Sequence, residues 1–569
     1  MRIFGDLTKN AEKNKETVFS PAGDHEVPSS GGTGRASGPV PNGHSELFAA
    51  AVALHMQGKP EEALSYLEKA RKGGEGLAEI YSAMAQIYLD RKQHAEAAKA
   101  YRDLLAVDPD NVAAEFNLAL CYEAMGSYPE ACNAFQTVIQ NAPDLVDAHL
   151  GLATAYTKMG EFAAAQAAYE AYLKINEKSF SARFGLGVSF HLAKQYDQAI
   201  ASYQKALEIE PQSEETLANL ASVYTEIQDF KNALSCYARL VKAKPDSWTA
   251  HEGLAYANFR MELYPEAEEH YETVVKLNPQ SFEGWYNLGA TWQKLEGHKE
   301  AVAAYRQAAR LKPDAVEPHI NLAIAFEEQG NENEAVTEYL HALRLDPKAV
   351  PPLYNLALIY EKRSKEAEAA DCYQRLLHEK PDFLEARFRL ALVLHKQGEW
   401  QKAAAVYQQC LKEKAEWVEA WLNLGIVYLK MDKTAEAQNA FTESLKLSPD
   451  DAEAMLGLAG VHLQTQNFEE ARRLYHRLVE LKSTNPEILF NAGLLEQKAQ
   501  KPQEAIRYYT LAVSNKTEFA EAYLNLAIAY QSLGNAGEAG KAFEKAIRLK
   551  PELAKGYFAL VPPGSQSVQ

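Results

Sequence analysis

Residues 282–315 read FEGWYNLGATWQKLEGHKEAVAAYRQAARLKPDA, and this stretch is one unit of a pattern that recurs along the chain every 34 residues. The clearest marker is an alanine that returns in register in fifteen successive units, from Ala63 to Ala539. Apolar residues within a unit recur at helical spacing, as Trp285 and Trp292 do in its first half. The pattern therefore predicts two short amphipathic helices per unit.

Two such helices cannot bury their apolar faces alone, so successive units must stack on one another to share a core. The sequence thus predicts an all-α solenoid of about fifteen helix-turn-helix repeats over residues 44–553. Residues 1–43 are rich in Pro, Gly and Ser and are predicted to be a disordered tail, while residues 554–569 form a short partial cap and tail. A long continuous surface of this kind suits binding better than catalysis.

Two further columns fix how the helices pack. A small residue, Ala or Gly, recurs in the first helix, and with the Ala63-to-Ala539 column it lets two helices approach closely. An aromatic residue fills the next gap in every repeat except the first, which has Leu67. Six glycines are predicted to end first helices in a left-handed turn: Gly58, Gly126, Gly160, Gly330, Gly398 and Gly534.

These columns resemble the tetratricopeptide repeat. The unit that starts at Phe282 carries Trp285-x-x-Leu288-Gly289-x-x-Trp292 and continues with Ala301, Tyr305, Ala308 and Pro313. The resemblance covers most of the chain. It implies a right-handed superhelix whose first helices line a concave groove that binds extended peptides or partner helices.

The resemblance also places one recurring amide in that groove. An asparagine side chain both donates and accepts hydrogen bonds, so a row of asparagines could bind a peptide backbone whatever its side chains are. The opposing interpretation is that Asn is common at this position in the family and reflects ancestry alone. The candidate residues are Asn287, Asn321, Asn355, Asn423, Asn491 and Asn525.

The same helices offer apolar and basic candidates. Tyr286, Tyr354 and Phe388 are expected to line one side of the groove. Lys362, Lys396 and Lys430 are expected to border its other end, unless they are simply a solvated face. The predicted partner is therefore a protein or peptide with apolar anchors and some acidic residues.

The net charge of −18 bears on the partner class. Many of the acids open helices, where they complement the helix dipole, and a basic stripe for nucleic acid or anionic lipid is lacking. We therefore expect no nucleic-acid or membrane partner. No charged-then-apolar leader opens the sequence and no long apolar run occurs, so the expected compartment is the cytoplasm.

The sequence indicates no catalytic residue, no metal site and no cofactor. The five cysteines have no Cys-x-x-Cys pattern and are interpreted as buried thiols. The long array with its asparagines is similar to the repeat arm of the O-linked N-acetylglucosamine transferases, without their catalytic domain. The expected function is a non-catalytic interaction scaffold, and the alternative is a substrate-recognition subunit that acts with a separate glycosyltransferase. The C-terminal end, around Tyr557, Phe558 and Leu560, is also expected either to self-associate or to dock on another protein.

Overall fold

The computed structural model of the chain describes residues 46–74, 76–481 and 484–554. The predicted tail, residues 1–43, and the predicted C-terminal contact at Tyr557, Phe558 and Leu560 lie outside these residues. The described part contains thirty α-helices, one short 3-10 turn (Pro551–Leu553) and no β-strand. The predicted fold class, a solenoid of helix-turn-helix repeats, is confirmed.

The described chain divides into two compact units between Pro313 and Asp314. Each unit is a succession of helix pairs, two helices to each repeat. The helices of the first unit are α1 (Glu46–Met56), α2 (Pro60–Gly73), α3 (Leu77–Asp90), α4 (His94–Val107), α5 (Val112–Ala124), α6 (Tyr128–Asn141), α7 (Asp147–Met159), α8 (Phe162–Ile175), α9 (Phe180–Leu192), α10 (Tyr196–Ile209), α11 (Glu214–Glu226), α12 (Phe230–Ala243), α13 (Trp248–Arg260), α14 (Tyr264–Leu277), α15 (Phe282–Lys294) and α16 (His298–Leu311). The helices of the second unit are α17 (Val316–Glu328), α18 (Glu332–Leu345), α19 (Val350–Lys362), α20 (Glu366–Glu379), α21 (Leu384–Lys396), α22 (Trp400–Glu413), α23 (Val418–Lys430), α24 (Thr434–Leu447), α25 (Ala452–Gln464), α26 (Phe468–Glu480), α27 (Pro486–Lys498), α28 (Pro502–Asn515), α29 (Ala520–Ser532) and α30 (Ala536–Leu549).

The turn inside each pair uses a left-handed residue, as predicted for six glycines. Those six glycines have φ between 72° and 79°. The equivalent residue has positive φ in the other nine repeats as well, although it is not glycine there; Gln228 and Ser364 are examples. Left-handed backbone costs roughly 1 to 2 kcal/mol for such residues, so the packing of the two helices, and not the turn residue alone, sets the geometry of the turn.

The core of each unit is built on the recurring small and aromatic columns. Ala301 and Ala335 have no exposed surface, and neither do Tyr203, Tyr305 and Tyr339 of the aromatic column. Small side chains allow two helices to approach, and the ring fills the space that remains between repeats. The packing roles assigned to both columns from the sequence are confirmed.

Buried tyrosine hydroxyls need a partner, and the sequence analysis did not identify one. In four repeats the partner is the residue twelve positions earlier, in the last turn of the first helix of the same repeat, whereas the hydroxyls of Tyr203 and Tyr407 make no hydrogen bond among the described residues. The hydroxyl of Tyr305 donates to Gln293 Oε1 at 2.6 Å, and that of Tyr509 donates to Gln497 Oε1 at 2.8 Å. This bond gives a reason for tyrosine over phenylalanine at these repeats.

Each described helix is too short or too polar to cross a lipid bilayer.

Candidate binding face

The odd-numbered helices, which we call the A helices, are the first helices of their repeats. They contact one another as well as the even-numbered B helices; in the second unit α21 contacts α23, and α23 contacts α25. Every residue that the sequence predicted to bind a partner lies on an A helix. The layer of A helices is therefore the face to examine, one unit at a time.

The asparagines, which we call the amide row, lie against the aromatic ring of the preceding repeat. Asn355 is only 1% exposed, and its Nδ2 donates to the hydroxyl of Tyr339 at 3.1 Å. Asn491 makes the same bond to the hydroxyl of Tyr475 at 3.3 Å. The hydroxyl of Tyr339 in turn donates to Glu327 Oε1 at 2.5 Å. The amide thus belongs to a hydrogen-bond chain that joins two repeats.

Other amides in the row bond to their own helix. Asn423 Nδ2 donates to the carbonyl of Glu419 at 2.7 Å, and Asn525 Nδ2 donates to the carbonyl of Glu521 at 2.9 Å. Asn321 is 2% exposed, whereas Asn287, in the first unit, is partly exposed.

The resemblance places all six amides in the groove, but the side chains of Asn321 and Asn355 are buried. Their side chains are buried because the stacking distance places this position over the ring of the repeat before it. Peptide binding by the row stays a prediction, which now requires these amides to give up bonds inside the chain.

The predicted aromatic lining needs the same correction for two of its three members. Tyr286 and Tyr354 are each 2% exposed. The ring of Tyr286 packs edge-on against Tyr305 at 5.7 Å, and that of Tyr354 stacks on Phe383 at 5.1 Å. Both rings are core residues. Tyr286 is covered by a ring of the second helix of its own repeat, and Tyr354 by a ring at the start of the next repeat.

Phe388 differs from these two tyrosines because it is only partly buried, with its ring stacked 4.3 Å from that of Trp417. It belongs to a set of partly exposed apolar side chains on the A helices of the second unit. They come from two positions one helical turn apart: α21, α27 and α29 contribute both, and α19, α23 and α25 contribute one each. We call this set the apolar row: Leu358, Phe388, Leu392, Ile426, Leu456, Phe490, Leu494, Leu524 and Ile528.

The three predicted lysines are all exposed at the ends of A helices in the second unit. Lys362 forms an ion pair with Glu332. Lys396 and Lys430 make no ion pair within the described residues. Burial lowers the pKa of His395, and the positive charge of Lys430 lowers it further. Two free ammonium groups therefore border the apolar row.

At the opposite, N-terminal ends of two A helices of the second unit, α27 and α29, an acid is already paired. Glu521 lies 2.9 Å from the ammonium of Lys550, and Glu487 lies 3.7 Å from that of Lys516. The hydrogen bond from Lys550 lowers the pKa of Glu521. Because both pairs are solvent-exposed, each stabilises the fold only weakly. Glu419 and Glu453, which lie in the first turns of α23 and α25, are exposed without ion pairs in the described chain, so the free positive charge is found at the C-terminal ends of the A helices only.

Replacing Asn355 with alanine is expected to lower the free energy of unfolding around α18 and α19 by about 1 kcal/mol, because a buried hydrogen bond to Tyr339 is lost. The same change at Asn423, whose amide bonds only to its own helix, is expected to be neutral, since alanine favours helix. Hydrogen exchange of the two regions measures both. Equal effects would contradict the assigned difference.

Comparison with known families agrees with the repeat architecture. Tetratricopeptide repeat models match residues 82–146, 150–214, 190–255, 298–330, 316–348 and 520–553. The model of the C-terminal domain of cilia and flagella-associated protein 70 matches residues 350–493. No curated protein matches the chain.

Several solved structures are similar to part of the chain. MamA is 25% identical, with 30% of this chain and 94% of that chain covered and a TM-score of 0.30. YrrB, described as a TPR protein with an unusual peptide-binding site, is 21% identical over 35% of this chain and 99% of its own, at a TM-score of 0.30. The C-terminal part of a TPR repeat-containing protein from Cytophaga hutchinsonii is 16% identical over 42% of this chain and 98% of its own, at a TM-score of 0.39.

Proposed function

This chain is a tetratricopeptide repeat protein, and on that premise we propose that it is a non-catalytic scaffold that binds a protein partner along the apolar row. The observation that carries the proposal is the partial exposure of this row over six consecutive repeats of the second unit. A core residue keeps almost no accessible surface, as Tyr354 does. Side chains of the row keep surface that a partner would bury.

The spacing of the row favours an extended peptide or a partner helix. Neighbouring packed helices lie about 10 Å apart, and an extended chain rises about 3.3 Å per residue. Every third residue of an extended partner would therefore meet another A helix. Each apolar contact contributes roughly 25 cal/mol per Å² of buried surface, so several weak contacts in register add up to specific binding.

The charge beside the row favours an acidic partner. Lys396 and Lys430 are exposed without ion pairs in the described chain, at the ends of α21 and α23. Carboxylates of a partner placed there would gain charge-assisted hydrogen bonds. We therefore infer that the partner segment combines apolar residues with Asp or Glu on one side.

The alternative function, substrate recognition for a separate glycosyltransferase, depends on the resemblance to the transferase repeat arm and on an accessible amide row. The amides of Asn355, Asn423, Asn491 and Asn525 all donate hydrogen bonds inside the chain. We therefore favour the scaffold. A glycosyltransferase cross-linked to the face would support the alternative.

The test begins with photo-cross-linking. A benzophenone amino acid at Leu392, in the apolar row, is compared with the same residue at Leu511, an exposed leucine on helix α28. We expect Leu392 to capture a partner that Leu511 does not. The partner is then purified for affinity measurements.

The double change of Leu392 and Ile426 to glutamate is expected to weaken binding of that partner at least tenfold, because it places charge on both apolar contacts. The matched control changes Leu447 and Leu511, which are exposed on B helices, to glutamate. It adds the same charge and is expected to leave binding unchanged. An equal loss in the two variants, or no loss in the first, would refute the proposed face.

A further inference from the structure

Two histidines and a glutamate converge in the first repeat of the second unit. His319 lies on α17, while Glu338 and His341 lie one turn apart on α18. One nitrogen of each imidazole and one oxygen of the carboxylate lie within 4.8 Å of one another. His319 Nδ1 is 2.7 Å from Glu338 Oε2, and the two imidazole rings are 4.0 Å apart. The three side chains join the two helices of one repeat.

This donor set fits a particular class of ion. Imidazole nitrogen with carboxylate oxygen suits first-row transition metals such as Zn²⁺, whereas Mg²⁺ and Ca²⁺ prefer oxygen ligands alone. In a tetrahedral zinc site with bonds of about 2.0 to 2.1 Å, ligand atoms lie roughly 3.3 Å apart. The atoms of this cluster reach that spacing by side-chain rotation. Glu338 and His341 are only partly buried, so they have room to rotate.

The imidazole of His319 has a nitrogen available for a metal ion. His319 is 6% exposed, and its Nε2 is buried without a hydrogen-bond partner among the described residues. One nitrogen of this buried ring is therefore not committed to the fold.

A second pair of histidines in the chain can be compared with this cluster. Two repeats earlier, His251 and His270 occupy the positions of His319 and Glu338, with the two Nδ1 atoms 3.3 Å apart. There the Nε2 of His251 is 3.0 Å from the carbonyl oxygen of Pro245, and Thr273 stands at the position of His341. That repeat therefore has a histidine pair with an ordinary packing role. The third ligand and the uncommitted nitrogen distinguish His319 and its neighbours.

We propose that His319, Glu338 and His341 form a binding site for a divalent transition metal ion, Zn²⁺ in the first instance, which ties α17 to α18. The partly exposed side of the cluster leaves room for water to complete the coordination. The sequence analysis predicted no metal site. Its only signal is Glu338-x-x-His341, which places two ligands on one face of a helix, and the third comes from another helix.

The test uses the untagged full chain titrated with Zn²⁺ and, separately, with Co²⁺. The His341→Thr variant installs the residue of the comparison repeat at a partly exposed position, so it is expected to fold normally. We expect it to bind one Zn²⁺ fewer per chain than wild type, or to bind that ion at least tenfold more weakly. It is also expected to lose the visible absorption of tetrahedral Co²⁺ and the rise in melting temperature on adding Zn²⁺.

Two further variants make the result decisive. Glu338→Gln keeps a hydrogen-bonding side chain beside His319 but removes the charged ligand, and it is expected to weaken the site as His341→Thr does. His270→Thr, in the comparison repeat, is expected to leave zinc stoichiometry unchanged. Identical zinc binding by wild type and His341→Thr would overturn the proposal, and so would an equal loss in His270→Thr.

Discussion

Replacing Gly185 with alanine is expected to lower the free energy of unfolding by about 1 to 3 kcal/mol, because the added methyl group overpacks the core. A Cβ at this position would lie 2.4 Å from the hydroxyl oxygen of Tyr169 and 2.5 Å from Cζ of the same ring. The ring has no room to retreat, since Tyr169 is 1% exposed. Repeats α7–α8 and α9–α10 should therefore separate more easily.

The control is the same substitution at Gly460, in the middle of α25. Nothing lies within 4 Å of a Cβ built there. Alanine is expected to stabilise that helix by about 0.5 to 1 kcal/mol, because glycine loses more backbone entropy on folding. Solenoid stability is a sum over repeats, so hydrogen exchange of each region is measured together with thermal melting. Changes of the same sign in both variants would contradict the contact between Gly185 and Tyr169.

The fold could be predicted from the sequence because the same packing pattern recurs in successive repeats. The buried alanine column, the aromatic column and the left-handed turn all recur at one period. A repeat that departs from one column can therefore still be recognised from the others. Gly58 and Gly534 illustrate this, since both adopt the predicted left-handed turn near opposite ends of the described chain.

The candidate site was harder to predict because the asparagine position, which was expected to face the groove, also packs against the aromatic ring of the preceding repeat. Glycine replaces asparagine at Gly151, Gly185, Gly253 and Gly457, where a Cβ would lie 2.2 to 2.4 Å from the aromatic side chain of the preceding repeat. The recurrence of glycine was visible in the sequence and indicates close packing at this position. The bond from Asn355 to the hydroxyl of Tyr339 is a contact with the same aromatic column.

The exposure of a side chain on an A helix depends on how the next repeat packs against it, which the sequence of one repeat does not encode. Tyr354 and Phe388 hold the same position in consecutive repeats, yet only Phe388 keeps accessible surface. The His319 cluster was missed for a related reason, because its ligands come from two helices and follow no recognised motif. Sequence periodicity therefore predicts which layer a residue belongs to, and the structure is needed to show what covers it.

The substitution of Glu252 by glutamine is expected to stabilise the first unit by about 2 to 3 kcal/mol at pH 8 and to have no effect at pH 4. Glu252 holds the position that Tyr286 fills in the next repeat. Burial, followed by the charge of Glu283, raises its pKa from an ordinary 4.5 to about 7. A carboxylate is thus held at a place that most repeats of this unit give to an apolar or small side chain.

The sign follows from the direction of that shift. Because the pKa of Glu252 is raised in the folded state, its favourable contribution is complete below pH 4.5 and is lost as the pH rises to about 7. Above that pH the folded chain holds a poorly solvated charge, which glutamine removes.

Glu521 provides the opposite case, since the hydrogen bond from Lys550 lowers its pKa. Its replacement by glutamine should slightly destabilise the chain at pH 8 and have less effect as the pH falls. Urea unfolding at pH 4, 6 and 8, with hydrogen exchange of α13 and α29, measures both variants. A pH-independent effect of the Glu252 change would show that the carboxyl is solvated in the folded chain.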